Sequence, residues 1–357
     1  MPLSKIQTTN NQVVPNLGRR NIVMNGDMRI AQRGTAAVTT NASFTVDRWK
    51  NISNASDFSA VQSTTVPSGQ GFYKSIHISP TSTKSPSGST YFFTSHYVEG
   101  FNMGHLNWGT SDAKTVTVSF WVRSSKTGIY SMGMKNAGAT RSRQQEYTIS
   151  VANTWEKKTI TITGETSGTW PVDNTRGIAI DFCLAGSASA TATVGSWISA
   201  NSNMSTNQVN FFDSTSNNFY LTGVQFEVGS TATDFEHRSE GEELALCQRY
   251  YEQAGAGASA KANSSTEFWI GHKFSVTKRA NPTTSIIDPN SYVRVYEFGI
   301  GDRNSDSTPS ISGTVPNVNG VITRVGTFSG ISAGDTGMLG GKDGDANANT
   351  FAFDAEI

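Results

Sequence analysis

The sequence predicts an all-β protein: a large sandwich, then a short helix, then a smaller C-terminal β domain. Three observations predict it. Apolar residues recur with a period of two in one segment after another, those segments are parted by Gly, Ser, Asn and Thr clusters, and a helical period stands out only near residue 240. At 357 residues the chain is long enough for two or three domains, each with its own core.

Composition removes several classes of function. The 28 basic side chains are offset by 28 acidic ones, whereas a protein held on phosphates needs a basic surplus, so nucleic acid is not an expected partner. No apolar run approaches the roughly 18 residues of a spanning helix, and the opening Met1-Pro2-Leu3-Ser4-Lys5-Ile6-Gln7 lacks the apolar core of a secretory signal. Neither membrane insertion nor export is expected. Cys183 lies in an apolar alternation and Cys247 in the helical segment, so both read as reduced, structural thiols.

Taken in chain order, residues 1–20 are polar and aperiodic and end in Arg19-Arg20, which predicts an extended arm that a partner must order. The sandwich is expected over residues 21–237. In 114–124, Val116, Val118, Phe120 and Val122 alternate with polar residues, Trp121 and Arg123; in 158–164, Ile160 and Ile162 alternate with threonines, with Trp155 just ahead. Ile178, Ile180, Phe182 and Leu184 share a face in 177–185, as do Tyr220, Thr222, Val224, Phe226 and Val228 in 218–229. Long polar stretches at 80–90 and 186–210 suit decorated loops, and no fixed-period repeat is present. Asn25-Gly26-Asp27 reads as a turn. Trp49 reads as core, with Asp47 or Arg48 as a local hydrogen-bonding clamp.

Ser239-Glu240-Gly241-Glu242 is a capping box, opening a helix of three to four turns within a helix-and-linker segment, 238–256, with Gly255 available to stop it. Leu244, Cys247 and Tyr251 form one stripe, flanked by Leu246 and Tyr250. A helix this short is marginal alone in water, so the stripe must dock. Leu244, Cys247 and Tyr251 are therefore expected at an oligomer interface, in a homotrimer. The C-terminal β domain is expected over 257–357, with strands around Phe268-Trp269-Ile270, Tyr292–Tyr296 and Phe351-Ala352-Phe353.

Five motifs in order carry a resemblance: Asn21–Thr35 (NIVMNGDMRIAQRGT), Asp47-Arg48-Trp49-Lys50, Tyr220–Gly229, Asp234–Ser239 and Glu243–Tyr251. Together they resemble the jelly-roll, carbohydrate-binding-module-like region of bacteriophage tail-fibre and virion appendage proteins, over roughly residues 21–254. The polar opening is similar to the short arms by which such fibres attach to the particle. The resemblance implies a jelly-roll sandwich and a trimeric, non-enzymatic virion protein, assembled in the host cytoplasm. It further implies attachment to other virion proteins through residues 1–20 and contact with host-surface glycans. A head fibre or capsid decoration protein and a polysaccharide depolymerase are the competing readings.

Glycan binding calls for an aromatic face against sugar C–H groups with planar polar side chains beside it. Alternation turns Trp121 and Arg123 away from the apolar set of their strand, and Asp181 away from that of its own, so Trp121, Arg123 and Asp181 are the candidate ligand-binding residues. Trp121 covered by a neighbouring subunit or loop is the structural alternative, and Trp108 and Trp170 are loop-borne alternatives for the site. No metal site or cofactor is expected: five scattered histidines lack ligand spacing, and no phosphate loop, dinucleotide fingerprint or nucleophile elbow occurs. Glu242-Glu243 and Asp343/Asp345 are the carboxylate pairs a glycosidase could use, but that chemistry is defined by spacing in three dimensions. Asp343, Asp345 and Asn347 resemble the start of a calcium loop, which an Asx-rich turn explains equally; Asp302–Asp306 reads the same way.

Overall fold

The computed structural model describes residues 19–54, 57–85, 91–187, 191–287, 293–305, 309–342 and 350–357. The expected attachment arm, apart from Arg19 and Arg20, and the Asp343–Asn347 loop lie outside the described residues.

Thirteen strands build the first unit: β1 (Ser43–Val46), β2 (Trp49–Ser53), β3 (Phe58–Ser63), β4 (Ser75–Pro80), β5 (Tyr91–Glu99), β6 (Val116–Ser124), β7 (Gly128–Asn136), β8 (Ser142–Ile149), β9 (Glu156–Ile162), β10 (Arg176–Gly186), the two-residue β11 (Thr191–Ala192) and β12 (Met204–Ser205), and β13 (Phe219–Val228). They form a jelly-roll sandwich. One sheet has the order β1-β2-β5-β10-β7-β8 and the other β3-β4-β13-β6-β9, so the chain crosses repeatedly between layers. The alternation of β6 places Val116, Val118, Phe120 and Val122 inside, all fully buried, against Phe182 of the opposite sheet, whose ring lies 4.9 Å from Phe120. Each such side chain contributes on the order of 1.5–3 kcal/mol. The stretch 186–210 holds only the small β11–β12 ladder, as its polar composition predicts.

The face expected for β13 needs correction. A bulge between Thr222 and Gln225, where Gly223 takes φ +62°, shifts the alternation by one residue. Phe219 and Leu221 point inward before the bulge and Val224 and Phe226 after it, which turns Tyr220 outward. The space a Cβ at Gly223 would need is held by Phe72, 2.5 Å away.

Trp49 is core, and Asp47 and Arg48 are indeed clamps, although their reach is not local. Asp47, buried, accepts the backbone N–H of Gln32 at 3.1 Å and lies 3.6 Å from Arg33. Arg48 stacks 3.5 Å from the centroid of Tyr250 and is ion-paired with Glu356, far along the chain. In the turn at Asn25-Gly26-Asp27, Asn25 donates to the carbonyls of Ile30 and Asp47. A Cβ on Gly26 would sit 2.1 Å from the Val224 carbonyl oxygen, so this turn packs backbone to backbone on β13.

The helix α1 (Glu240–Gln248) is shorter than expected. Ser239 caps it, its hydroxyl accepting the Glu242 N–H at 3.2 Å, but Tyr251 already belongs to a strand, β14 (Tyr251–Ala254). The segment 238–256 is therefore not helix and linker throughout, because Ala254 is part of the second core. That core is closed by β14 with β15 (Ser259–Ala262), β16 (Phe268–Lys273), β17 (Thr283–Ile286), β18 (Val293–Glu297), β19 (Gly301–Asn304), β20 (Ile311–Asn317), β21 (Gly320–Val325), β22 (Thr336–Lys342) and β23 (Phe351–Asp354). A three-stranded sheet, β14-β23-β17, and a seven-stranded one, β19-β18-β22-β15-β16-β21-β20, enclose Phe268, Ile270, Val293, Leu339 and Phe353.

The stripe assigned to an oligomer interface is docked within the chain. Cys247 and Tyr250 are fully buried and Tyr251 is 6% exposed, while Leu244 is half-buried. The Tyr250 hydroxyl donates to Glu99 at 2.6 Å, Arg249 is paired with the same carboxylate, and Arg33 lies 3.6 Å over the Tyr251 ring. Cys247 and Tyr251 thus join sandwich to C-terminal unit. They leave no open helix face from which a trimer could be argued.

Candidate functional site

The outward face of the sheet β3-β4-β13-β6-β9 carries the aromatic residues a glycan site requires. Register places Val61, His77, Tyr220 and Arg123 side by side on four successive strands, and Trp155, immediately before β9, is next in line. His77 stacks on Tyr220 with centroids 4.4 Å apart and planes at 10°, Arg123 lies 5.0 Å over the other side of the Tyr220 neighbourhood, and Trp155 is 6.1 Å from that ring. Two residues along β6, Trp121 stands between Thr222 and Lys157. All these aromatic side chains are half-buried, so their edges are packed and one face of the row meets solvent.

Polar partners hold the row in place. His77 Nε2 is 2.7 Å from Asn218 Oδ1, and Arg123 Nε donates to the Asn153 carbonyl at 2.8 Å. Arg123 spends one donor on that loop and keeps the rest of its fork beside Tyr220. Among the described residues Trp121 has no ring partner, which leaves its indole face open to a ligand. Rings anchored by stacking and side-chain hydrogen bonds lose little freedom on binding, the condition for useful affinity from a shallow surface.

Of the three expected ligand-binding residues, Trp121 and Arg123 share this face and Asp181 does not. Asp181 is on β10, in the other sheet, and is 1% exposed. Its carboxylate is 2.8 Å from Lys135 and accepts from Ser95, and Lys135 in turn donates to Asn203 at 2.8 Å. A buried carboxylate must be paired, and this one is neutralised under the 200–208 segment. It is structural. The alternatives Trp108 and Trp170 are also core: their rings meet edge-on at 4.9 Å and both are buried, with Trp197 closing the trio.

The residues that sequence reasoning missed are Tyr220, Trp155 and His77. Gly223 inside an otherwise regular strand was the available signal for the first. No such signal marks His77, whose place depends on which strand pairs with β13.

Elsewhere the acidic groups serve as braces. Glu243, buried, accepts the Asn25 N–H and lies 3.3 Å from Arg238, so the Glu242-Glu243 pair is not a free pair of acids. Asp302 is 2.9 Å from Arg294, an ion pair between neighbouring strands. Among the described residues no group of three or more His, Cys, Asp or Glu could hold a metal ion, and no helix is long and apolar enough to cross a membrane. Cys183 and Cys247 are free and buried, and burial pushes the Cys183 thiol up to about 12.

No family model matches the chain, and no curated protein matches it. Solved structures do show similarity. A domain of tailspike protein 4 of bacteriophage CBA120, described as enzymatically active, is 13% identical with TM-score 0.32 over 59% of this chain, which spans 22% of that one. A putative sugar-binding protein of Bacteroides thetaiotaomicron is 11% identical with TM-score 0.36, over 58% of this chain and 100% of that one. A carbohydrate-binding module crystallised with β-1,4-galactotriose is 12% identical with TM-score 0.28, over 59% of this chain and 99% of that one.

Proposed function

We propose that this chain is a non-catalytic glycan-binding protein whose ligand lies across the outward face of the sheet β3-β4-β13-β6-β9, and that it serves as a tail fibre or related appendage of a bacteriophage particle, contacting the host surface. The observation that carries the binding half is the row His77–Tyr220–Arg123–Trp155 with Trp121 beside it. Indole and phenol faces suit the C–H surface of a pyranose, while Arg123, Lys157 and Thr222 supply donors and acceptors at its rim. The virion half is supported by the five-motif resemblance over residues 21–254.

A stacked ring supplies on the order of 1 kcal/mol, so single substitutions are expected to weaken binding roughly five-fold and the pair more than twenty-fold. The test is binding of fluorescent protein to a glycan array and to host cells, with Trp121→Ala, Trp155→Ala and the double variant. Melting temperatures within about 2 °C of the parent would accompany the loss. Unchanged binding in the double variant would remove this face from consideration, and release of reducing sugar by the parent protein would replace binding with catalysis. Labelling of intact particles with an antibody to the sandwich tests the virion role.

A further inference from the structure

The outward face of the seven-stranded C-terminal sheet is apolar where an antiparallel sheet facing water is ordinarily polar. Tyr296, Met338, Ile322 and Val315 fall on a single cross-strand row, joined in register through Ser259 and Gly271. Phe298 and Ile300, in the turn after β18, extend it at one side. These six large apolar side chains are between 40% and 64% exposed. The two central positions are small, so the row is flat across its middle. In the next row Arg324 lies 4.7 Å over Trp269, which adds a half-buried indole to the same face.

We infer that this face is where a second copy of the chain packs, independently of the proposed glycan site. Its size argues for a folded partner rather than a peptide. Seven strands about 4.8 Å apart span roughly 29 Å, and strands of this length add roughly 17–20 Å, so the planar face is about 500–600 Å² before side-chain relief is counted. That approaches the ~800 Å² each partner contributes to a standard-size interface and exceeds what monomers ordinarily leave exposed. Charge permits self-association: the formal net charge is zero, and Arg294 and Asp302 at the border already neutralise each other at 2.9 Å. An apolar row without a central charge is also self-complementary, as contact between identical faces demands.

Sedimentation equilibrium of the full chain at about 20 µM is the test. The expected mass is two or three times 38.3 kDa. Ile322→Glu with Val315→Glu should return it to 38.3 kDa, and the milder pair Tyr296→Ser with Met338→Thr should raise the dissociation constant at least ten-fold. Near-UV circular dichroism reports whether the glutamates disturb the sheet; if they do, the milder pair decides. A monomeric parent at this concentration overturns the inference, as does an oligomer that both pairs leave intact.

Discussion

Tyr220 shows how a single residue's environment decides its use. One step along β13 in either direction the side chain is core, whereas Tyr220 lies between His77 and Arg123 with a face toward solvent. The alternation in β6 was legible, so Trp121 and Arg123 could be placed on the outer face from sequence. Asp181 was placed outward by the same rule, but alternation says nothing about whether an outward face is covered, and a loop from residues 200–208 covers this one. Two buried acids lead to a prediction at this scale. Burial raises the carboxyls of Asp27 and Asp47 to about 6 despite Arg29 and Arg33 beside them. A carboxyl that binds its proton more tightly in the folded chain loses stability as pH rises between its unfolded and folded values, so these two favour folding at about pH 4 and cease to gain above about 6. Glu252 has the opposite sign, held down to about 2 by hydrogen bonds from His272, Lys278 and Ser275 despite its burial, and its contribution disappears as pH falls below about 4. Thermal melts across pH 3–8 should therefore peak between about pH 4.5 and 6. In Asp47→Asn the decline between pH 5 and 7 should be shallower than in the parent.

At the scale of elements, α1 works as a rivet. Its cap and start were readable from Ser239 and Glu242, while its end was not, because Tyr250 and Tyr251 continue an apolar pattern that a helix and a strand can share over so short a run. What ends it is tertiary: Tyr251 pairs with Asp354, and Glu252 with Phe353, in a sheet formed by residues about a hundred positions away. Ser239→Ala should cost about 1 kcal/mol in urea unfolding through the lost cap. Leu244→Asp, by contrast, should leave the oligomeric state unchanged, since Leu244 is only half-buried and its stripe faces the chain's own sandwich; sedimentation of that variant checks this against Ile322→Glu/Val315→Glu.

For the whole molecule, the sequence pattern located both β units and most strands, since period-two alternation is a local property. The joint between the units was not legible, because it is made of ion pairs between distant residues. Arg48, Glu99, Arg249 and Glu356 meet there with their charged groups largely removed from water. Glu356→Gln should destabilise the protein by roughly 3 kcal/mol, because it leaves the Arg48 guanidinium buried without its counter-charge, and Arg48→Met with Glu356→Gln should recover most of that loss. Chemical unfolding of the three proteins tests this; equal losses in single and double variants would show that packing, not charge, sets the joint.

The Arg48–Glu356 pair also bears on how the chain matures on the ribosome. The two residues are 308 positions apart, so at roughly 5–20 residues per second Arg48 emerges about 15–60 s before its partner. Through that interval a nascent sandwich must either keep Arg48 hydrated and its β2 edge loose, or lend the guanidinium to a temporary acceptor such as a chaperone's acidic surface. Closure of the sandwich around Arg48 then depends on synthesis having reached residue 356, and a chain released short of that point would remain open at β2, exposed to proteases.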